Sequence, residues 1–288
     1  MPETVAAVVV TYNRKELLSE CLSGLVHQTR FPNRIFIVDN ASTDGTPEML
    51  AERGFLADPL CEYLRMSTNL GGAGGFREGI RRALESGFDW IWIMDDDSEP
   101  TSDCLSLLLQ TASREKAGGY CPAIYGRDGK LQSYHHKRFN HLGRERIAWD
   151  GKSTQATIGM DANAFVGPMF SSRVIAAVGL PDSSLVSQGD DTEFTLRVRH
   201  NAGLLLVPGA TVIHKDAGQA RWDTIPAWKV FYANRNQVWL LRRHFGICPT
   251  AVACLFALIG SLRRINRLSV AWARLRGVWA GLSGLPGQ

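Results

Sequence analysis

Three consecutive carboxylates, Asp95-Asp96-Asp97, follow the apolar run Trp90-Ile91-Trp92-Ile93-Met94. Like charges this close repel unless a cation neutralises them, and a hard divalent ion is the natural partner of carboxylate oxygens. Alternate residues of an extended segment point the same way, so Asp95 and Asp97 are expected to face one ion while Asp96 faces another ligand, such as a ribose. The alternative for the triplet is a solvated acidic turn. A second acidic pair, Asp190-Asp191, stands far along the chain ahead of a helical pattern. One of its carboxylates can take a proton from an acceptor hydroxyl, and either can cap the helix. His214 ends the strand-like Thr211-Val212-Ile213; alone it reads as structural, and beside two carboxylates already offered to a cation it reads as a third ligand.

Asp39 ends a second interior strand, Ile35-Phe36-Ile37-Val38. Its carboxylate can accept a hydrogen bond from a pyrimidine imide N–H, or it can cap the turn Asn40 to Thr46. Thr11-Tyr12-Asn13-Arg14 lies at the same rim, as do Asn69, Gly71 and Gly72 of the stretch Asn69 to Gly75, whose backbone can approach a phosphate or sugar closely. That stretch does not match the GxGxxG dinucleotide fingerprint. Gly167 and Trp222 are the remaining candidates, Trp222 either stacking on a sugar or packing in the core.

The elements that position these groups follow from hydrophobic period. Val5 to Val10 is a continuous apolar run, as in a strand buried on both faces of a parallel sheet. Leu17, Leu18, Cys21, Leu22, Leu25 and Val26 then repeat at helical spacing, with Asn13 as the expected cap. Strands are predicted at Arg34 to Val38, from Leu64, at Trp90 to Met94 and at Leu204 to Val207. Helices are predicted near Phe76 to Leu84, Thr101 to Lys116, Ser172 to Val178 and from Gly189 through Arg199. Residues 126–157 read as a variable loop or hairpin region. This α/β rhythm implies a doubly wound, mostly parallel sheet whose ligand crevice lies beyond the strands' carboxyl ends.

Charge divides the chain. The 32 basic residues exceed the 28 acidic ones by four, yet no Asp or Glu follows Asp223, and nine Lys and Arg lie beyond it. The remaining 23 basic residues face all 28 acidic ones. Such a split predicts an anionic partner for the tail, and membrane lipid is favoured over nucleic acid because no nucleic-acid motif accompanies the charge. The apolar run Pro249 to Leu262 is short of the roughly 20 residues a spanning helix needs. From Leu262 onward Ile265, Leu268, Trp272, Leu275, Val278 and Trp279 alternate with arginines, predicting a basic helix lying in the headgroup layer, or one of a helical pair packed on the domain or on a second copy of the chain. Six scattered cysteines predict reduced thiols rather than disulfides or a metal cluster. The opening residues carry no basic n-region, and no signal peptide is expected.

Taken in order, VVVTYNR, VDNASTDGT, WIMDDD, GDDTEF and a strand-terminal His over residues 5–236 resemble the inverting GT-A glycosyltransferases of family 2. NLGGAGGF and FYANRN resemble the galactofuranosyltransferase and rhamnosyltransferase branch. The resemblance implies a GT-A fold with a donor-binding half (1–100), an acceptor-binding and catalytic half (101–223) and basic C-terminal helices (224–288). It implies that Asp39 contacts the nucleobase and that Asp95, Asp97 and His214 hold Mn2+ or Mg2+. Asp191, the second acid of its pair, would be the base. The implied donor is UDP-galactofuranose, with dTDP-rhamnose second, and the acceptor a lipid-linked glycan at the cytoplasmic face of the membrane. The rival from another class is a catalytically silent, membrane-bound scaffold that binds glycan or nucleotide.

Overall fold

The computed structural model describes residues 3–152, 156–215, 225–262 and 267–284. The first stretch alternates strand and helix: β1 (Val5–Thr11), α1 (Lys15–Val26), β2 (Arg34–Asp39), α2 (Thr46–Glu52), β3 (Cys61–Arg65), α3 (Gly71–Glu85) and β4 (Trp90–Asp95). Then come β5 (Ser98–Pro100), α4 (Cys104–Arg114), β6 (Gly119–Gly126), a 3-10 turn at Ser133–His135, β7 (His136–Phe139) and β8 (Glu145–Ile147). The rest comprises β9 (Ile158–Gly159), β10 (Ala162–Asn163), β11 (Val166–Ser171), α5 (Ser172–Val178), α6 (Asp190–Ala202), β12 (Leu204–His214), α7 (Ala227–His244), α8 (Ile247–Leu262) and α9 (Leu268–Ser283).

One nine-stranded sheet has the order β3-β2-β1-β4-β11-β6-β12-β5, with β9 also on β12; the acidic triplet lies at the end of β4, and Asp190 and Asp191 open α6. Pairing is parallel from β3 to β4 and between β6 and β12, while β11, inserted between β4 and β6, is antiparallel to both. All seven residues of β1 are buried because helices cover both faces. Val5, Ala7 and Val9 pack with Leu18, Cys21 and Leu22 of α1, and Ala6, Val8 and Val10 with Phe76 and Ile80 of α3. Burying one such aliphatic side chain contributes roughly 1.5–3 kcal/mol, which is why the run is continuous rather than alternating.

Several sequence expectations shift. The helix expected from Phe76 begins at Gly71, so most of the glycine stretch is its first turns. A side chain at Gly79 would place Cβ 2.4 Å from Val8 Cγ1, and one at Gly75 would lie 2.6 Å from Val10 Cγ1; these glycines let α3 sit directly on the sheet. Asn13 does not cap α1: with φ of 53° it crosses to the next loop, its Oδ1 accepting from the Thr43 N–H at 2.7 Å. Residues 126–157 contribute β7 and β8, which join β10 in a small antiparallel sheet. All six cysteines are free thiols.

The C-terminal helices form their own layer. α9 buries Val270, Gly277, Val278 and Gly281. It turns Leu268, Trp272 and Trp279 outward, each more than 60% exposed. Val278 therefore lies opposite the tryptophans rather than beside them. Arg263, Arg264 and Ile265, expected in the same helix, lie outside the described residues. α8 exposes Val252, Leu255, Phe256 and Leu258. Among the described residues no helix is long and apolar enough to cross a membrane.

Candidate active site

The carboxyl end of β4 passes into a tight turn at Asp96-Asp97 before β5 returns along β12. Asp95 is the last residue of β4, and Asp96 and Asp97 form the turn rather than continuing the extended segment. Asp96 is buried and accepts from Thr11 Oγ1 at 2.7 Å. The Arg14 guanidinium donates to Asp97 Oδ2 at 2.9 Å and lies 3.4 Å from Asp96 Oδ1. The cation beside the turn is thus a residue of the expected donor loop. The pairing Ser98 to His214 sets Asp97 beside His214, whose Nε2 is 3.4 Å from Asp97 Oδ1.

Asp97 Oδ1 is buried and has no hydrogen-bond partner. His214 Nδ1 lies 2.8 Å from Gln132 Oε1, an oxygen that can only accept, so this nitrogen carries a proton and the bond orients the ring with Nε2 toward that carboxylate. Nε2 and Asp97 Oδ1 face each other across 3.4 Å. An unmatched buried polar atom costs about 1–3 kcal/mol, and a cation between them would remove that cost. His135 Nε2–H donates to the same Gln132 oxygen at 3.1 Å, and its ring meets that of His214 edge-on at 5.0 Å. Burial, then the neighbouring His214, lowers the pKa of His135 to about 3. Burial first, and then Asp97 and Asp96, holds Asp95 well above the usual carboxylate range. Burial raises Asp96 to about 6 against the opposing pull of Thr11 and Arg14. Asp97 is also pushed up by burial, but His214 and Arg14 outweigh this and bring it below its ordinary value.

These groups fit a hard cation in donor chemistry, with Asp97 and His214 as the nearest pair. They do not form the compact three-ligand set expected of Asp95, Asp97 and His214: among the described residues no three His, Cys, Asp or Glu side chains are gathered closely enough to hold an ion. Asp95 instead lines a cavity of about 390 Å³ with Asp190, Asp191, His135 and His214. One wall is Gly72, Ala73 and Phe76 of α3, another Ala164, Phe165 and Val166, and a third Val186, Ser187 and Gln188. Asp190 and Asp191 open α6 behind Gly189, whose φ is 90°. Asp191 Oδ1 accepts from the Thr192 N–H, and burial followed by the Asp191 charge raises Asp190 to about 7.

The other expected site residues divide. Asp39 is fully buried, its Oδ1 capping the turn by accepting from the Ser42 N–H at 2.8 Å and its Oδ2 accepting from Tyr63 Oη at 2.6 Å. Tyr12 is exposed at the rim. Asn69 Oδ1 accepts from the Gly71 N–H at 2.8 Å, and Gly72 faces open space. Gly167 does not line the cavity: it is buried at the irregularity of β11, its φ of 78° and the 2.7 Å approach of Val212 to its Cβ position requiring glycine, while its carbonyl accepts from Trp92 Nε1 at 2.8 Å. Trp222 lies outside the described residues. The sequence did not point to Gln132 or to Val186–Gln188; both sit in segments with neither period nor motif and reach the site only through the fold.

Residues 6–171 match the family described as "Glycosyl transferase family 2". Galactofuranosyltransferase GlfT1 of Mycolicibacterium smegmatis is 34% identical over 202 residues, 68% of this chain and 65% of that protein. The chain thus spans about two thirds of that relative's length. N-acetylglucosaminyl-diphospho-decaprenol L-rhamnosyltransferase of Mycobacterium tuberculosis is 29% identical over 140 residues, 46% of this chain and 44% of that protein. In fold, GalNAc-T7, solved with UDP, GalNAc and Mn2+, superposes with a TM-score of 0.64 at 16% identity, covering 83% of this chain and 48% of that one.

Proposed function

The chain belongs to glycosyl transferase family 2, and on that premise we propose that it moves galactofuranose from UDP-galactofuranose to a hydroxyl of a lipid-linked envelope glycan, inverting the anomeric centre. The observation that carries this reading is the convergence of Asp95, Asp190, Asp191 and His214, from three distant stretches, on one cavity. The preference for galactofuranose rests on the 34% identity to a galactofuranosyltransferase. A rhamnosyl donor is the second reading, favoured by the shorter match to the rhamnosyltransferase.

In this mechanism Asp191 takes the acceptor proton as the hydroxyl oxygen attacks the anomeric carbon, and the sugar–phosphate bond breaks on the opposite face. Asp190, with its raised proton affinity, limits repulsion between the paired carboxylates. Thr11, Tyr12, Asn13, Arg14, Asp39, Asn69, Gly71, Gly72 and Asp96 form the donor side. Asp97 and His214, aided by Asp95, would hold Mn2+ or Mg2+, which when bound stabilises charge on the departing diphosphate. A neighbouring fold with UDP and Mn2+ supports that assignment.

The exposed apolar face of α8 and α9, on a tail without acidic residues, supports a peripheral place on an anionic, cytoplasmic membrane surface. Purified protein offered UDP-galactofuranose, dTDP-rhamnose and other sugar nucleotides with a lipid-linked oligosaccharide and Mn2+ tests the reading. Galactofuranosylated product is expected. Rhamnosyl transfer would select the second reading, and binding without product from any donor would select a silent scaffold.

A further inference from the structure

Two adjacent residues in the middle of α7, Arg235 and Asn236, are polar and only 5% and 2% exposed. A buried guanidinium and a buried amide need partners, and both find them in the segment that leads into α6. Asn236 Nδ2 donates to the carbonyls of Ser187, at 3.0 Å, and Gln188, at 2.7 Å. Its Oδ1 accepts from Arg235 Nε at 2.9 Å, which orients the amide, and Arg235 donates through Nη2 to the Ser184 carbonyl. Three carbonyls within five residues are thus held by two side chains of one helix.

The segment they hold is one wall of the cavity. Val186, Ser187 and Gln188 line it, the Val186 carbonyl lies 3.1 Å from a Cβ position on Gly71, and Gln188 and Gly189 take φ of 66° and 90° immediately before Asp190. A non-glycine residue in the left-handed region needs its neighbours to hold it there. Asn236 contacts that residue's own carbonyl. From behind, α9 is seated on the same turn of α7: a Cβ on Gly277 would lie 2.4 Å from the Phe231 carbonyl, and one on Gly281 2.5 Å from the Arg235 carbonyl. At the far end of α7, His244 Nε2 lies 3.3 Å from buried Glu193 of α6, which also pairs with Arg197 at 2.9 Å. α7 therefore contacts both the segment that leads into α6 and Glu193 in the first turn of α6.

We propose that Arg235 and Asn236 are positioning residues for the acidic pair: from α7 they hold the Ser184–Gln188 wall in the conformation that aims Asp190 and Asp191 into the cavity, making the C-terminal helices a working part of the active site. This rests on the reading of Asp191 as the base. The full-length variants Asn236→Ala and Asn236→Leu are compared with Asn234→Ala, whose amide donates to the Val230 carbonyl of its own helix. Hydrogen exchange in residues 182–190 needs no substrate, and it should quicken at least tenfold in both Asn236 variants with the remaining sheet unchanged. Turnover of UDP-galactofuranose should fall ten- to a hundredfold in kcat while UDP affinity stays within about twofold, and Asn234→Ala should match the parent in all three. Gly281→Leu, which pushes α9 off Arg235, should reproduce the faster exchange. Unchanged exchange in 182–190 overturns the proposal, as does a loss of turnover that merely tracks a loss of folded, UDP-binding protein. If Asp191→Asn keeps its rate while Asn236→Ala alters exchange, the base assignment fails and the latch stands.

Discussion

The two sides of the cavity are built in different ways. On the strand-end side, Thr11, Asp39 and Asp95 sit at the ends of adjacent parallel strands, and the polar groups there bond to one another: Thr11 to Asp96, Arg14 to Asp97, Asn13 to the Ser42–Thr43 turn. On the acid-pair side, Asp190 and Asp191 stand on a helix whose approach is held from α7, roughly fifty residues later in the chain. A rim made by strand register is fixed once the sheet forms. A wall made by a distant helix needs that helix in place, so the second side should respond to changes far from the chemistry while the first should not.

The largest effect should come from the acid pair. Asp191→Asn is expected to lower the rate by ~100-fold or more, the scale of losing a general base, with UDP binding nearly intact and Asp190→Asn milder. A reversed ranking in steady-state kinetics would move the base to Asp190. Next, stripping divalent metal with EDTA should abolish turnover. His214→Ala, and to a lesser degree Gln132→Leu, should weaken Mn2+ binding by roughly 10–100-fold, the usual consequence of losing a ligand's orienting partner; undiminished Mn2+ titration in Gln132→Leu would break the link drawn between Gln132 and His214.

Smaller effects concern pH and the tail. Folded Asp190 keeps its proton to about 7, against an ordinary 3.8. The folded state thus binds the extra proton between those values, and the stability it contributes is present at low pH and lost as pH rises toward 7. Asp190→Asn should flatten that fall in urea titrations at pH 4 to 7; an unaltered slope would place the titration elsewhere. Replacing Trp272 and Trp279 with Ala in the full chain should weaken sedimentation with anionic vesicles by about tenfold or more, since burying a large apolar side chain contributes roughly 1.5–3 kcal/mol. Equal binding would remove α9 from the membrane contact.

Much of the strand-end rim was legible in the sequence because a parallel-sheet strand announces itself as an unbroken apolar run, which fixes where its terminal polar residue lies. Ser172–Val178 and the order of strands and helices followed from period alone. What the sequence hid was long-range. Nothing local says that Gln132 meets His214, and Asn236 in FYANRN could equally have faced the donor. The glycines of Asn69 to Gly75 read as allowing close approach to a phosphate or sugar, while at Gly75 the residue type is demanded by the 2.6 Å approach of Val10 beneath α3. The triplet read as extended because its strand is, but the return of β5 along β12 folds Asp96 and Asp97 into a turn.

The most direct measurement is the anomeric configuration of the first product, read by proton NMR coupling constants during turnover of UDP-galactofuranose with the lipid-linked acceptor. A single displacement assisted by one base on the face opposite the leaving diphosphate predicts a product of inverted configuration from the first turnover. Retained configuration would contradict the mechanism built on Asp191.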